Sequence, residues 1–471
     1  ICLLVAPSDN SMIKTNILFL LFDSFRADKV YGLEKNSLTP NFDYIKKNGV
    51  FFDHVISSSD GSLLSYAGLF SGKHPFKTGM RSSKLTKLID TTSYLEFLKN
   101  QGYKLYGCMP KSNAFLDIIP DFENNEETFC TSGISTEESR ITLDRLNSKM
   151  EEPWFFLMAA GDLHFPITNP KGFEDEKFGS NNYEKQVSAI DHWLGKVLEK
   201  IDLKKTLVVV TGDHGSYIQS LKKESLNIDF QDKARLQMKI LKVSTKFPKF
   251  LEPLKLNLFL ARENMSRKRK ERKIKDLNLK PHEIRGLLSQ RSDLERFLFD
   301  EKTRVPLFMI GPNVDQGITI SQQVRLLDVF PTICEIVGIS DKDEEIDGVS
   351  LYPLLENRKI DDLIAYMESS PAILIQPTIV IGIRTDEYKY FRNRYDSSKN
   401  VHLYDLKNDP YEDDNIADRN KKIVEEMEDI LKTTISGFSL EKGCRLKSTD
   451  DDLGTKETNM VEKQLKKMGY I

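Results

Sequence analysis

The chain has 471 residues, of which 39% are hydrophobic and 30% are charged. This length predicts two or three domains, and this composition excludes a disordered chain, a collagen and a small disulfide scaffold. No apolar run approaches the roughly 20 residues with which a helix spans a bilayer, so no transmembrane segment is expected. The five cysteines are scattered and show no C-x-x-C spacing, which disfavours a disulfide framework and a zinc ribbon.

The cysteine usage also bears on the compartment. An odd number of scattered cysteines favours a reducing environment. The opening residues 1–6 are apolar but too short for the core of a secretory signal, and no basic flank precedes them. We therefore expect a cytoplasmic protein.

The net charge of −3 conceals a strong asymmetry along the chain. Residues 221–280 contain 18 lysines and arginines against 7 acidic residues, including the block SRKRKERK at 266–273. Such a segment is expected either to contact an anionic polysaccharide or lipid headgroups at a membrane surface, or to be a solvated helical hairpin over the mouth of a site. Nucleic acid is not expected as a partner, because no aromatic residues are interleaved for base stacking.

Strands and helices alternate in the first part of the chain, which predicts an α/β domain with a mainly parallel sheet. Continuous apolar runs are typical of strands buried on both faces, and amphipathic spacing predicts the intervening helices. The predicted strands are residues 16–22, 154–160, 206–211 and 307–310, and the predicted helices are residues 39–47 and 183–201.

The alternation of strands and helices stops after residue 216, and the sequence pattern predicts four segments. The α/β domain occupies residues 12–216 and resumes at 299–339, on either side of a basic helical insertion at 217–298. A smaller C-terminal subdomain covers residues 340–471. Within it, the runs at 379–383 and 388–391 predict an antiparallel sheet.

Polar residues directly follow each of the three long predicted strands. Asp23 and Ser24 follow the first strand, His164 lies just after the second, and Asp213 and His214 follow the third. Ligands bind beyond the carboxyl ends of such strands, so these side chains are expected to converge. Carboxylates and an imidazole suit a divalent cation, which makes Asp23, Asp213 and His214 candidate metal ligands. The alternative is structural: Asp23 would cap a helix, and residues 213–214 would form a polar turn.

Several segments resemble motifs of the sulfatase family within the alkaline phosphatase superfamily. Residues 21–28 (LFDSFRAD) and 39–43 (TPNFD) resemble its opening, residues 62–72 (SLLSYAGLFSG) its nucleophile segment, and residues 209–215 (VVTGDHG) its metal-binding turn. Further similar segments are RVPL at 304–307, LDVFPT at 327–332, DGVSL at 347–351 and LYDLKNDP at 403–410. The resemblance implies an alkaline-phosphatase-like α/β sandwich with a mainly parallel central sheet. The expected fold is completed by the smaller C-terminal antiparallel-sheet subdomain and the basic helical insertion that the sequence pattern predicts.

The resemblance also implies roles for individual residues. Asp23, Asp213 and His214 match metal ligands for one divalent ion, which by family is Ca²⁺, although Mg²⁺, Mn²⁺ and Zn²⁺ suit the same donors. Ser62 matches the nucleophile, and His164 matches a histidine that contacts substrate oxygen or protonates the leaving group. The alternative for His164 is a buried imidazole bonded to backbone.

Lys77 is a further candidate, because it lies just after the nucleophile segment. Its ammonium group would neutralise the anionic ester. The alternative is a solvated surface lysine.

The nucleophile segment departs from the family pattern. Sulfatases typically carry a cysteine or serine in C-x-P-x-R, which is oxidised to formylglycine, whereas neither the proline nor the arginine accompanies Ser62. We therefore predict an unmodified serine that a cation activates. Such a serine is expected to cleave phosphate esters at least as readily as sulfate esters.

Three functions remain open at this point. The first is a metal-dependent hydrolase of a sulfate or phosphate ester, acting on an anionic glycan or a small ester. The second is a transferase of phosphoethanolamine or phosphoglycerol units. The third is a catalytically inactive relative that binds glycans through its basic insertion.

Overall fold

The computed structural model describes most of the chain apart from its two ends and several internal segments. The described residues are 14–80, 93–110, 121–124, 129–130, 133–134, 137–165, 167–223, 226–231, 252–290, 293, 296–314, 317–340, 345–370 and 378–436.

A large, mainly parallel sheet forms the centre of the fold. Its strands lie in the order β10-β2-β9-β6-β1-β5-β3-β4. Strand β11 also pairs with β2, nearer the carboxyl end of β2 than β10 does. Within the described residues β9 alone runs antiparallel to its neighbours in this sheet. The strands are β1 (Asn16–Phe22), β2 (Val50–Ile56), β3 (Lys104–Pro110), β4 (Phe129–Cys130), β5 (Trp154–Ala160), β6 (Thr206–Gly212), β9 (Arg304–Ile310), β10 (Ile318–Ile320) and β11 (Val324–Arg325).

The central strands are apolar throughout because helices cover both faces of the sheet. Every residue of β1, β5 and β6 is buried. Helices α2, α3 and α9 pack on one face, and α1 and α5 pack on the other. The helices of this part are α1 (Pro40–Asn48), α2 (Ser62–Ser71), α3 (Tyr94–Asn100), α4 (Glu137–Asn147), α5 (Asn182–Leu198), α8 (Asp300–Thr303), α9 (Val329–Ile336) and α10 (Tyr352–Leu355).

The amphipathic pattern of α5 shows how the sequence specifies its packing. Tyr183, Val187, Ile190 and Leu194 recur at helical spacing, and all four are fully buried. The Asn181 side chain accepts a hydrogen bond from the backbone N–H of Glu184 and so caps the start of the helix. The predicted helix at 183–201 is thus confirmed, with an end three residues earlier than expected.

The C-terminal region forms a separate four-stranded antiparallel sheet, as predicted. Helix α11 (Lys421–Thr434) packs on this sheet through Met427 and Leu431. The strands are β12 (Ala365–Glu368), β13 (Val380–Arg384), β14 (Tyr388–Asn393) and β15 (His402–Asp405), in that order. The fold class expected from the sequence is therefore confirmed.

The insertion is not wholly helical, which corrects the expectation from sequence. It opens with an antiparallel hairpin of β7 (Ser220–Lys223) and β8 (Leu226–Asp229). The first three residues of β7 are half-buried, and the residues of β8 alternate between half-buried and exposed positions. Helices α6 (Glu252–Ile274) and α7 (Pro281–Leu288) follow. Part of the predicted insertion, residues 232–251, lies outside the described residues. The four segment boundaries stay a prediction.

None of the helices in the described part of the chain is long and apolar enough to cross a membrane.

Candidate functional site

The strand directions bring the predicted polar residues to one edge of the large sheet. Strands β1, β5 and β6 are parallel, so their carboxyl ends point the same way. Strand β2 also ends there, because both β2 and β6 pair antiparallel with β9. The segments that carry Asp23, Ser62, His164, Asp213 and His214 therefore all leave the sheet at this edge.

The turn after β1 fixes the carboxylate of Asp23. Ser24 adopts a left-handed backbone conformation with φ 65°, which is uncommon for a residue other than glycine. Its hydroxyl donates to Asp23 Oδ1 at 2.8 Å, and its backbone N–H donates to Asp213 Oδ1 at 3.0 Å. Tyr183 holds the turn from below by donating to the Ser24 carbonyl oxygen at 2.6 Å. The strained turn is thus tied to both candidate carboxylate ligands.

The turn after β6 holds Asp213 and His214 in a tightly packed backbone. Asp213 is fully buried, and its Oδ1 accepts a hydrogen bond from the His214 N–H at 2.7 Å. A side chain at Gly215 would place its Cβ 2.2 Å from the carbonyl oxygen of Glu301, so only glycine fits there. Packing therefore requires glycine at 215, whereas Asp213 and His214 supply the polar groups of the turn.

The imidazole of His214 faces Ser62 and the two carboxylates. Its Nε2 lies 3.2 Å from Ser62 Oγ, 3.5 Å from Asp23 Oδ1 and 3.6 Å from Asp213 Oδ2. Its Nδ1 lies 2.7 Å from the Gly215 carbonyl oxygen, which can only accept. The neutral ring therefore carries its proton on Nδ1 and turns the lone pair of Nε2 toward the cluster.

Ser62 occupies the first position of helix α2. Gly61 precedes it as the N-cap, where a side chain would place its Cβ 2.7 Å from Cβ of Ser370. The positive end of the helix dipole and its free backbone N–H groups favour negative charge at this position. The hydroxyl of Ser62 is thus placed where an alkoxide or a bound anion is stabilised.

The donor set fits a divalent cation. One oxygen or nitrogen from each of Asp23, Asp213 and His214 can be chosen so that all three atoms lie within 4.8 Å of one another. Asp213 Oδ2 is buried and has no hydrogen-bond partner among the described residues. An uncompensated buried carboxylate oxygen is costly unless something cationic satisfies it. The residues present therefore suit a metal ion, which the structure does not contain.

The electrostatics of the cluster support the same reading. Burial raises the pKa of Asp213 to about 6, and the nearby Asp23 carboxylate adds to the rise while His214 opposes it. Burial alone would lower the pKa of His214, but the carboxylates of Asp213 and Asp23 outweigh it and the net pKa is raised. Two carboxylates this close together repel each other unless a cation or a proton lies between them.

His164 and Lys77 lie in different surroundings. His164 is half-buried in the turn after β5, and its backbone N–H donates to the Gly161 carbonyl oxygen at 3.0 Å. Lys77 ends a short 3₁₀ turn, and its ammonium group forms an ion pair with Asp347. The described polar contact of Lys77 is thus with a carboxylate of the C-terminal region, and its proposed role at the ester stays a prediction.

Sequence reasoning did not single out a buried ion pair beside the nucleophile. Asp60, two residues before Ser62, pairs with Lys302 and accepts a hydrogen bond from the Ser370 N–H at 2.6 Å. Burial would raise the pKa of Asp60, but the cations Lys302 and Arg296 outweigh it and hold the pKa well below its usual range. The partners are 242 residues apart in the chain, so no local pattern could have connected them.

The comparisons with known proteins cover nearly the whole chain. Residues 15–339 match the Sulfatase family model, and residues 293–437 match the model described as N-sulphoglucosamine sulphohydrolase, C-terminal. Arylsulfatase K of Xenopus laevis is 22% identical over 462 residues, which is 90% of this chain and 82% of that protein. The ulvan-active sulfatase of Formosa agariphila is 24% identical over 444 residues, which is 86% of this chain and 76% of that protein.

One solved structure is informative about the fold. A protein solved in complex with its substrate D-glucosamine-2-N,6-O-disulfate superposes with a TM-score of 0.60 at 16% identity. The alignment covers 91% of this chain and 100% of that one.

The fold is alkaline-phosphatase-like, and a serine lies beside a carboxylate and imidazole cluster at the carboxyl edge of the sheet. The family match makes the protein an ester hydrolase. The family model covers well over half of the chain. The chain belongs to the sulfatase family.

Proposed function

We propose that this enzyme hydrolyses sulfate esters of a sugar, with the unmodified hydroxyl of Ser62 as nucleophile and one divalent cation held by Asp23, Asp213 and His214. The observation that carries the proposal is the 3.2 Å approach of Ser62 Oγ to His214 Nε2, at a site where a buried Asp213 oxygen lacks a partner among the described residues.

The chain's own residues prepare Ser62 for attack. The lone pair of His214 Nε2 lies 3.2 Å from Ser62 Oγ and is suited to bind the cation directly beside the nucleophile. The N-terminus of α2 stabilises the alkoxide of Ser62. When bound, the cation would lower the pKa of the hydroxyl and withdraw charge from a sulfate oxygen.

The proposed reaction has two steps. In the first, the Ser62 hydroxyl releases its proton to water and a bond forms between Ser62 Oγ and sulfur while the bond between sulfur and the sugar oxygen breaks. The leaving oxygen takes up a proton for which His164 is the proposed donor. In the second, water hydrolyses the serine sulfate ester, which releases sulfate and restores the hydroxyl.

The substrate class follows from the relatives rather than from the pocket. One relative is an ulvan-active sulfatase, and one structural neighbour binds a disulfated glucosamine as its substrate. These favour a sulfated glycan over a phosphate ester. The phosphate ester expected from an unmodified serine remains the second candidate, and the two are distinguished by the choice of test substrate.

The experiment compares Ser62→Ala and Asp213→Ala with the wild type. Hydrolysis of p-nitrophenyl sulfate and p-nitrophenyl phosphate is measured, together with divalent metal content by elemental analysis. We expect Ser62→Ala to abolish turnover and keep its metal. Asp213→Ala should lose both while remaining folded, because buried Asp213 directly follows strand β6 and is not among the apolar residues of the core.

Ser71→Ala is the matched control. Ser71 lies at the far end of the same helix, and its hydroxyl donates to the Ala67 carbonyl oxygen at 2.5 Å, so activity should change little. A metal-replete, active Asp213→Ala protein would refute the ligand role. Peptide mass spectrometry tests the nucleophile independently: an aldehyde mass at Ser62 would refute the unmodified serine.

A further inference from the structure

Helix α6 and the turn after it present a strip of exposed cations that the catalytic cluster does not use. We call this set the basic strip, and its members are all exposed: Lys268, Arg269, Arg272, Lys273 and Lys275. Lys268, Arg272 and Lys275 follow the i, i+4, i+7 spacing of one helix face, and Arg269 and Lys273 lie on the adjoining face. The strip therefore places five positive charges along about 10 Å of helix.

The strip differs from its neighbours on the same helix in its electrostatic partners. Arg267 pairs with Glu271 and Asp293, and the Lys270 ammonium donates to Gln219 and to the Leu287 carbonyl oxygen. Within the described residues, no acidic side chain forms an ion pair with any member of the strip. The charges of the strip are thus not neutralised by ion pairs among the described residues, and they face solvent.

The strip is held on a fixed support. Ile274 of α6 is buried in a small core with Phe230 and Leu287. Gln290 donates from its side chain to the Glu263 carbonyl oxygen at 3.0 Å, which ties the helix to the segment after α7. The opposite, less exposed side of α6 is therefore occupied by the hairpin and by α7, and the cations face outward.

The support of the strip is connected directly to the candidate catalytic turn. Gln219 follows His214 by five residues, and five residues of extended chain span at most about 18 Å. The Lys270 ammonium donates to Gln219 Oε1 at 2.9 Å, so the helix is anchored at the base of the segment that leaves the site. The strip therefore lies on an element that is anchored to the chain close to the cluster.

We infer that the basic strip is a second binding site for a sulfated polysaccharide, which it holds by the sulfate groups that are not being hydrolysed. The inference rests on the proposed function for the identity of the polymer. Closely spaced cations on a rigid helix match the repeated anionic groups of such a chain, and the attraction weakens as salt screens it.

Two other polyanionic surfaces fit the strip less well. A helix that lies in a membrane surface exposes its apolar face, but Ile274 of α6 is buried in the protein. Among the side chains described for this helix, at 257–274, only Leu258 and Met265 are large, apolar and exposed. Proteins bind single-stranded nucleic acid by stacking its bases on aromatic side chains, and residues 266–280, which include the strip, contain no aromatic residue.

The test measures binding of dextran sulfate to the full-length enzyme, with unsulfated dextran as the neutral reference. The strip variant carries Lys268→Gln, Arg269→Gln, Arg272→Gln and Lys273→Gln. The control variant removes the same charge from four exposed lysines at the end of α5 and beyond: Lys196→Gln, Lys200→Gln, Lys204→Gln and Lys205→Gln. Thermal unfolding checks that both variants are folded.

We expect the strip variant to bind dextran sulfate about 10- to 100-fold more weakly at physiological salt, and the control to bind nearly as tightly as the wild type. Equal weakening in both variants, or no binding by the wild type, overturns the inference. Tighter strip-dependent binding to phosphatidylserine vesicles or to a DNA strand overturns the choice of glycan. Because binding needs no turnover, an inactive enzyme that binds through the strip would refute only the proposed catalytic function.

Discussion

At the scale of single residues, the buried imidazole of His74 makes stability depend on pH. His74 lies between aromatic rings, with its centroid 5.3 Å from Phe76 in a stacked arrangement and 5.8 Å from Tyr366 edge-on. Its Nδ1 is buried without a hydrogen-bond partner among the described residues. Burial lowers the pKa of His74 to about 4, although the nearby Asp347 carboxylate opposes the change.

This lowered pKa predicts a loss of stability in mild acid. An unfolded histidine has a pKa of about 6.5, so between pH 6.5 and 4 the unfolded chain binds a proton that folded His74 excludes. His74 alone should therefore lower the free energy of unfolding by about 1.4 kcal/mol between pH 7.5 and 5.5. Urea denaturation at the two pH values, on wild type and His74→Phe, measures the contribution as the difference between their pH slopes.

Exposed His192 supplies the control, because its ring remains in solvent in both states. His192→Gln should keep the pH slope of the wild type. An unchanged slope in His74→Phe would contradict the prediction.

Ion pairs attach whole elements at the next scale, as helix α11 shows. Glu428 accepts hydrogen bonds from Arg392 at 3.0 Å through both carboxylate oxygens and from the Tyr390 hydroxyl at 2.9 Å. Both residues come from strand β14, and the Arg392 side chain is only 4% exposed. Burial would raise the pKa of Glu428, but these donors outweigh it and hold the pKa below its usual range. The pair therefore joins the helix to the sheet beneath it.

Glu428→Gln is expected to destabilise the protein by about 3 kcal/mol, because it leaves the Arg392 charge buried without a counter-ion. Chemical denaturation at neutral pH measures the change. The control is Glu425→Gln on the exposed face of the same helix, which should stay within about 0.5 kcal/mol of the wild type. Equal effects from the two substitutions would show that the carboxylate at 428 does not attach the helix.

At the scale of the whole molecule, one arginine joins three parts of the chain. Arg285 of α7 forms an ion pair with Glu301 at 3.0 Å and donates to the carbonyl oxygens of Glu412, at 2.7 Å, and Tyr411. Its guanidinium also lies 3.9 Å from the ring centroid of Phe299. Arg285 thus connects the basic insertion both to the α/β domain and to the C-terminal region.

Arg285→Ala should therefore loosen the insertion more than the rest of the protein. We expect faster amide hydrogen exchange in α7 and in the hairpin of β7 and β8, with little change in β1, β5 and β6, because local openings are governed by local contacts. Exchange measured by mass spectrometry tests this. Exposed Lys275→Ala is the comparison, and acceleration spread evenly over the chain would contradict a local attachment.

The accuracy of the sequence predictions varied with how local their causes are. The apolar runs at 16–22 and 154–160 coincide with β1 and β5, because a strand buried on both faces needs apolar residues at every position. The hairpin in the insertion was missed, since each of its strands has only four residues and β7 does not alternate between buried and exposed positions. Strand β2 was not predicted either, although it delivers Ser62 to the site.

The sequence by itself determined the α/β fold and the convergence of Asp23, Asp213 and His214, because parallel strands end at one edge and polar residues follow those strands directly. Resemblance to the family's nucleophile segment also predicted Ser62 as the nucleophile, which stays a prediction. Tertiary structure decided the rest. The tautomer of His214 depends on the Gly215 carbonyl, Asp60 is neutralised by a lysine 242 residues away, and Lys77 turns to Asp347. The contacts of Asp60 and Lys77 join segments that are distant in the chain, and only the closed fold brings their charges within interaction distance. The contact of His214 with its neighbour Gly215 is local, but its Nε2 faces Ser62, 152 residues away, only in the folded chain.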